Sequence, residues 1–274
     1  MVKFMKKFEN ILIISDIDGT LVDETWKISE ENIRAAQYFM DNGGTFTYAT
    51  GRQAPVAAGI VSQLTPNAPV ICYNGAAIYD YRTEEYLWNS PIDQSCKVII
   101  KDILENCSVV NIEINTAGGI YTLKDVDYTI KRYEKFSPFF EKTDSMESVD
   151  APWLKIVVVT KPEDMPALRS RVQSHPNYKD FQFSQSADFL YEFLNLNINK
   201  GTTIPVLRKI LGNEYKVIAL GDNENDIDLL KNADIGFAVA DGSPMLLEHC
   251  KNLTAPLYDH ALVDIIEKLD KGLI

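Results

Sequence analysis

Hydrophobic positions along the chain fall into short β-branched runs separated by longer amphipathic segments. Ile11–Ile14 is four apolar residues without polar alternation, the pattern of a strand buried on both faces. Ser29 then reads as a helix cap, with Glu30 and Glu31 in the first turn and Ile33, Ala36 and Met40 at helical spacing. Gly43-Gly44 ends that helix. Thr45–Ala49 reads as a second strand, Gln53–Leu64 as a helix stopping before Pro66, and Pro69–Tyr73 as a third strand. Strands alternating with helices in this way predict a parallel, doubly wound sheet.

The rhythm changes after Asn74-Gly75. Val109–Ile114 and Gly119–Leu123 read as neighbouring strands with a Gly-Gly turn, and Trp153–Thr160 as a third strand that alternates at its start. Helical segments lie near Cys96–Glu105 and Met165–Ser174. Strand pairs with helices on one face predict a small α+β unit. It reads as an insertion because the first rhythm then resumes. Gly201–Leu211 is a helix, Lys216–Leu220 a buried strand, Asp226–Asn232 a helix, Ile235–Ala240 a strand and Ala261–Leu269 a closing helix. The expected fold class is α/β, a doubly wound Rossmann-like parallel sheet with an inserted α+β cap domain. Residues 1–81 and 192–274 form the core in this division, and residues 82–191 form the cap.

A hydrophobic content of 46% in 274 residues is enough for a full core. The formal charge of −12 argues against non-specific binding to nucleic acid or anionic lipid. Anionic substrates stay open, because they answer to local charge and metal. Cys72, Cys96, Cys107 and Cys250 form no Cys-x-x-Cys pair and show no zinc spacing. They read as reduced thiols. The apolar run after Lys3, Lys6 and Lys7 is too short for a signal peptide or a membrane helix. A soluble, cytoplasmic protein is expected.

The first strand runs into Asp16 and Asp18, followed by Gly19. Two carboxylates at the mouth of a dry sheet repel each other and are poorly solvated, and a bound cation would relieve both problems. Three more clusters fall where strands end or helices begin: Thr50-Gly51-Arg52, Lys200-Gly201 and Gly221-Asp222-Asn223-Glu224-Asn225-Asp226. Each has a plain explanation by itself, as a turn, a cap, a surface lysine or a helix-dipole partner. In a parallel sheet, however, the strand ends open on one edge, and together the residues suit phosphoryl transfer. Asp16 would be the nucleophile. Asp16 and Asp222 would hold Mg²⁺, which needs few protein ligands because it keeps several waters. Asp18 would serve as general acid and then base. Thr50 and Lys200 would bind the phosphoryl oxygens. Asp226, one helical turn past Asp222, would hold metal-bound waters or orient Lys200.

In order and spacing, Asp16-Ile17-Asp18-Gly19-Thr20, Thr50-Gly51-Arg52, Lys200-Gly201 and Gly221-Asp222-x-x-x-Asp226 resemble the four motifs of the haloacid dehalogenase superfamily. The resemblance covers the whole chain. With Asn74-Gly75-Ala76 just before it, the insertion is similar to the Cof-type subgroup with a C2B cap. The resemblance implies a metal bound by Asp16, the backbone carbonyl of Asp18, and Asp222. It also implies phosphate contacts from Thr50-Gly51, Lys200 and Asn225. The implied activity is a Mg²⁺-dependent phosphatase whose partner is a small phosphorylated molecule, such as a sugar phosphate, flavin mononucleotide or pyridoxal phosphate. An aspartate at position 18 favours a phosphatase over a dehalogenase.

Two alternatives stand beside it. A phosphomutase needs a basic cluster for a second phosphate, whereas the insertion carries only scattered Lys124, Lys131, Arg132 and Lys135. A non-catalytic binding protein would be marked by loss of a motif residue, and none is lost. Arg52 either contacts substrate or forms a salt bridge. Asn74 either only makes a type I′ turn or also touches substrate. Asp188, Phe189, Tyr191 and Glu192, near the expected returning hinge, either face substrate or pack as an aromatic cluster. His175, His249 and His260 lie outside all four motifs.

Overall fold

The apolar run at Ile11 becomes the middle of a parallel sheet in a computed structural model that describes residues 6–124, 127, 140–212 and 214–274. Lys3, Lys131, Arg132 and Lys135 lie outside the described residues. Strand β1 (Ile11–Ser15) pairs with β2 (Thr45–Tyr48) on one side and β12 (Lys216–Gly221) on the other. Beyond β12 come β13 (Ile235–Val239) and β14 (Leu253–Thr254), and every pairing in this sheet is parallel. Alternate residues of β1 feed two cores. Ile13 packs in one with helices α1 (Glu30–Asp41), α2 (Ala54–Val61) and α8 (Ala261–Asp270). Leu12 and Ile14 pack in the other with α5 (Ile204–Leu211), α6 (Ile227–Asn232) and α7 (Pro244–His249). Helices cover both faces, so both sets of side chains must be apolar and the run shows no alternation. Ser29 caps α1 by accepting from the Asn32 N–H.

The third strand departs from a simple parallel continuation. Strand β3 (Val70–Cys72) meets the parallel sheet through the bridge between Ala49 and Ile71. Its main pairing is antiparallel, with β4 (Ala77–Asp80), which in turn pairs with β5 (Glu85–Asn89). Tyr73, Asn74 and Gly75 all have positive φ. The reversal therefore begins one residue before the Asn-Gly dipeptide that marks it in sequence.

The inserted unit contains β6 (Asn111–Thr116), β7 (Ile120–Thr122), β8 (Phe140–Lys142), β9 (Trp153–Val159), β10 (Phe181–Ala187) and β11 (Leu190–Asn195). They form one sheet in the order β10-β11-β9-β6-β7-β8, antiparallel except between β7 and β8. Helices α3 (Lys97–Asn106) and α4 (Met165–Ser174) cover one face, where Ile99, Ile103 and Leu168 pack with Ile112, Ile114, Ile156 and Phe193. The other face carries Asn115, Lys155 and Glu192, which line a cavity above the end of β1. The segment expected near a hinge is the β10–β11 turn and the start of β11. Strand alternation separates its residues. Tyr191 turns into the helix-covered core and stacks on Phe183 with ring centroids 5.7 Å apart, while Glu192 turns to the cavity. The positions 81/82 and 191/192 fall between the paired strands β4 and β5 and inside β11, respectively. All four cysteines are free thiols. Among the described residues, no helix is long and apolar enough to cross a membrane.

Candidate active site

Strands β1 and β12 end side by side, with Ser15 in register with Leu220 and the Asp16 N–H donating to the Leu220 carbonyl at 2.9 Å. The chain leaves β1 toward β2 on one flank and returns through β12 on the other. That makes this edge the switch point where open α/β sheets form a crevice. Asp16 follows β1, and Asp222 follows β12. Gly19, at φ +78°, lets the two loops meet: a Cβ there would lie 2.3 Å from Asp222 Oδ2. Thr20 Oγ1 donates to Asp222 Oδ1 at 3.1 Å.

Lys200 lies beneath these carboxylates and is fully buried. Its ammonium donates to Asp16 Oδ1 at 2.6 Å and to Asp226 Oδ1 at 2.7 Å. The second oxygen of Asp226 accepts the N–H groups of Asp222 and Asn223 at 3.1 and 3.2 Å, tying the start of the helical turn to the lysine. Burial works against the Lys200 charge, but Asp16 and Asp226 outweigh it, so the lysine is held protonated. One ammonium cannot neutralise three clustered carboxylates. Burial, opposed by Lys200 and reinforced by the other aspartates, raises the Asp16 carboxyl well above its ordinary range. Burial and Asp226 push Asp222 up to about 7.

This charge pattern fits a divalent cation. Asp16, Asp222 and Asp226 each offer an oxygen within 4.8 Å of the others. Both oxygens of Asp226 already accept hydrogen bonds, whereas Asp16 and Asp222 line the cavity. Two carboxylates suit a hard ion that keeps part of its water shell, and a dication would offset the negative charge that burial leaves unsolvated and the neighbouring aspartates oppose.

Asp18 is half-exposed and held by Arg52. The guanidinium donates through Nε and Nη2 to the two carboxylate oxygens at 2.7 Å each, and it lies 3.7 Å from the centre of the Trp26 ring. Of the two expectations for Arg52, the structure contains the salt bridge. Thr50 is buried, and its Oγ1 accepts from the Arg52 N–H at 3.1 Å. Asn225 donates to Asn74 Oδ1 at 3.0 Å, and Asn74 Nδ2 donates to Glu192.

A cavity of about 350 Å³ joins the two units. Asp16, Asp18, Gly51, Arg52, Asp222 and Asn225 line it, whereas Thr50, Asn74, Lys200 and Asp226 are buried outside its lining. Trp26, Gln53, Asn115, Lys155 and Ser186 also line it, and sequence motifs do not single them out. Two of them left a trace. Asn111, Glu113 and Asn115 alternate with Ile112 and Ile114, and Lys155 interrupts an apolar strand. A polar residue at every second position of a buried strand marks a face turned toward something other than a hydrophobic core.

A doubly wound sheet with acidic loops at its switch point and an inserted α+β unit above them defines a two-unit, Rossmann-like α/β class. The chain matches the model of the haloacid dehalogenase-like hydrolase family over residues 13–266, and it belongs to that family. A 5-amino-6-(5-phospho-D-ribitylamino)uracil phosphatase of Bacillus subtilis is 24% identical over 249 residues, 89% of this chain and 92% of that protein. The HMP-PP phosphatase of Klebsiella pneumoniae is 24% identical, covering 84% of each chain. A haloacid dehalogenase-like hydrolase from Bacteroides thetaiotaomicron shares the fold with a TM-score of 0.78 at 19% identity, over 95% of this chain and all of that one.

Proposed function

We propose that this protein is a Mg²⁺-dependent phosphatase of small phosphorylated metabolites, working through a phosphorylated Asp16. The observation that carries this function is the Lys200 ammonium held between Asp16 and Asp226 under a cavity that Asp16 and Asp222 face. Asp16, the Asp18 backbone carbonyl and Asp222 would hold Mg²⁺, which would supply the positive charge that lets a carboxylate meet a phosphate dianion. Asp16 attacks phosphorus, and the bond to the leaving oxygen breaks. Asp18 protonates that oxygen and then takes a proton from the water that hydrolyses the aspartyl-phosphate. Thr50, Gly51, Lys200 and Asn225 bind the phosphoryl oxygens. Asp226 orients Lys200, Arg52 orients Asp18, and Asn74 orients Asn225. The inserted unit acts as a cap that excludes water from the first step.

Relatives named for a ribitylaminouracil phosphate and for HMP-PP support a small-metabolite substrate. So does the cavity volume, which lies at the small end of the range for ligand pockets. Sugar phosphates and phosphomonoesters resembling flavin mononucleotide or pyridoxal phosphate are the compounds to try first. Hydrolysis is favoured over phosphomutase chemistry because the described cations lining the cavity, Arg52 and Lys155, each pair with a carboxylate. The test is inorganic phosphate release from a panel of phosphorylated metabolites, with Mg²⁺ and with EDTA, using Asp16→Asn as control. Release that requires both metal and Asp16 is expected, and release unaffected by either change would overturn the mechanism.

A further inference from the structure

Lys155 and Glu192 are a nearly dry ion pair, with side chains 5% and 3% exposed, on the neighbouring strands β9 and β11 of the inserted unit. Neither belongs to a motif, yet both reach the core. Lys155 Nζ donates to the Gly51 carbonyl at 2.7 Å and to Glu192 Oε2 at 3.1 Å. Glu192 accepts in addition from Ser186 Oγ at 2.7 Å and from Asn74 Nδ2. Asn74, in the left-handed region at φ 54° and ψ 33°, accepts from Asn225 Nδ2 at 3.0 Å. Its amide also packs on Gly51, where an added Cβ would lie 3.0 Å from Asn74 Oδ1. The contacts close a ring, from Lys155 to Gly51, across to Asn74, through Glu192 and back to Lys155. Of the two groups assigned above to the phosphate, Gly51 is thus held directly by Lys155 of the opposite unit, and Asn225 indirectly, through the core residue Asn74 that Glu192 holds.

We propose that Lys155 and Glu192 are positioning residues that couple docking of the inserted unit to the geometry of the phosphate site. The physical reason is directional. A buried carboxylate with three donors aims the Asn74 amide, and Asn74 can then accept from Asn225 in one orientation only. The Lys155 ammonium fixes the Gly51 carbonyl and with it the plane of the following peptide. When the unit lifts, both charges rehydrate, Gly51 loses its anchor, and Asn74 loses the acceptor that aims it at Asn225. The phosphate roles of Gly51 and Asn225 rest on the phosphatase function proposed above.

The test is calorimetric binding of inorganic phosphate in the presence of Mg²⁺ to wild type, Lys155→Met and Glu192→Gln, with melting temperatures recorded alongside. Each variant is expected to remain folded and to bind phosphate at least about tenfold more weakly, the scale of a lost buried, charge-assisted hydrogen bond. The double variant is expected to be no weaker than the worse single one, because the ring acts as a unit. A residue that only supports the fold would lower the melting temperature and leave phosphate affinity in the folded fraction unchanged, and that result overturns the coupling. Hydrolysis of p-nitrophenyl phosphate by the wild type is read separately. Active wild type with unchanged phosphate binding in the variants rejects the coupling alone. Inactive wild type with weakened binding in the variants rejects the phosphatase alone.

Discussion

The Lys200 ammonium donates to Asp16 Oδ1 at 2.6 Å, with both groups withdrawn from water. The pair joins the end of β1 to the start of the segment that leads into α5, far apart in sequence. The lysine is also the one cation bonded to this carboxylate among the described residues. Asp16→Asn keeps the volume of the proposed nucleophile and removes its charge. Turnover should vanish while the melting temperature stays at or above the wild-type value, as read by phosphate release and circular dichroism. Lys200→Met leaves Asp16 and Asp226 without their shared counter-charge. It should slow turnover by at least about a hundredfold and lower stability by roughly 3 kcal/mol in denaturant unfolding. An unchanged unfolding midpoint would show that the lysine does not hold the carboxylates together.

Asp18 depends on Arg52 for its orientation, through two parallel bonds of 2.7 Å. Asp18→Asn should cut kcat by about 10²- to 10⁴-fold, the span of general acid–base catalysis. Arg52→Lys retains the charge but not the planar fork or the flat stack on Trp26. It should lower kcat by about tenfold with a smaller change in KM. Steady-state kinetics on one phosphomonoester decides, and a KM effect alone would assign Arg52 to substrate binding.

Gly19 separates two loops that touch. Its φ of +78° disfavours a side chain, and a Cβ would meet Asp222 Oδ2 at 2.3 Å. Gly19→Ala should destabilise the protein by about 1–2 kcal/mol through the left-handed backbone alone. It should also displace Asp222 and weaken Mg²⁺ binding. Calorimetric Mg²⁺ titration of the folded variant is the check, and wild-type affinity would mean that Asp222 is not a metal ligand.

Asp222 links the site to pH. Its carboxyl is raised from an ordinary 3.8 to about 7, by burial first and by Asp226 second. Below 3.8 it is protonated in both folded and unfolded chains and contributes no penalty. Between 3.8 and about 7 the unfolded chain ionises more readily, so the metal-free protein loses stability as pH rises through this window. Above about 7 the full penalty is present, and Mg²⁺ should offset it. Mg²⁺ affinity should therefore climb between pH 5 and 7 with proton release, then level off. Titrations in two buffers of different ionisation enthalpy measure the protons released, and a flat affinity across that range would contradict the assignment.

Much of the core and the motif residues is legible in the chain itself. An unbroken apolar run announces a strand covered on both faces, and Asp16 directly after it must lie at the carboxyl end. Ser29 with Glu30 and Glu31 marks a helix start, and the hydrogen bond to the Asn32 N–H is there. These are short-range signals, set by side-chain direction and turn chemistry within a few residues. The β10–β11 hairpin escapes the same treatment. Phe181 and Phe183 alternate as a strand should, but Ser184-Gln185-Ser186 dilutes the pattern. What makes the segment a strand is antiparallel pairing with β11, which pairs in turn with β9, more distant in the chain.

By itself the sequence determined where carboxylates, hydroxyl and ammonium stand relative to strand ends, because local periodicity carries that information. Tertiary structure alone decided which of them meet. It gave Arg52 to Asp18, set both oxygens of Asp226 to work on Lys200 and the backbone, and turned Lys155 and Glu192 onto the Gly51 and Asn74 side of the cavity. These partners come from separate strands and loops whose approach depends on packing within the core and, for Lys155 and Glu192, between the two units. Buried charges select partners only when that packing has removed water as the alternative.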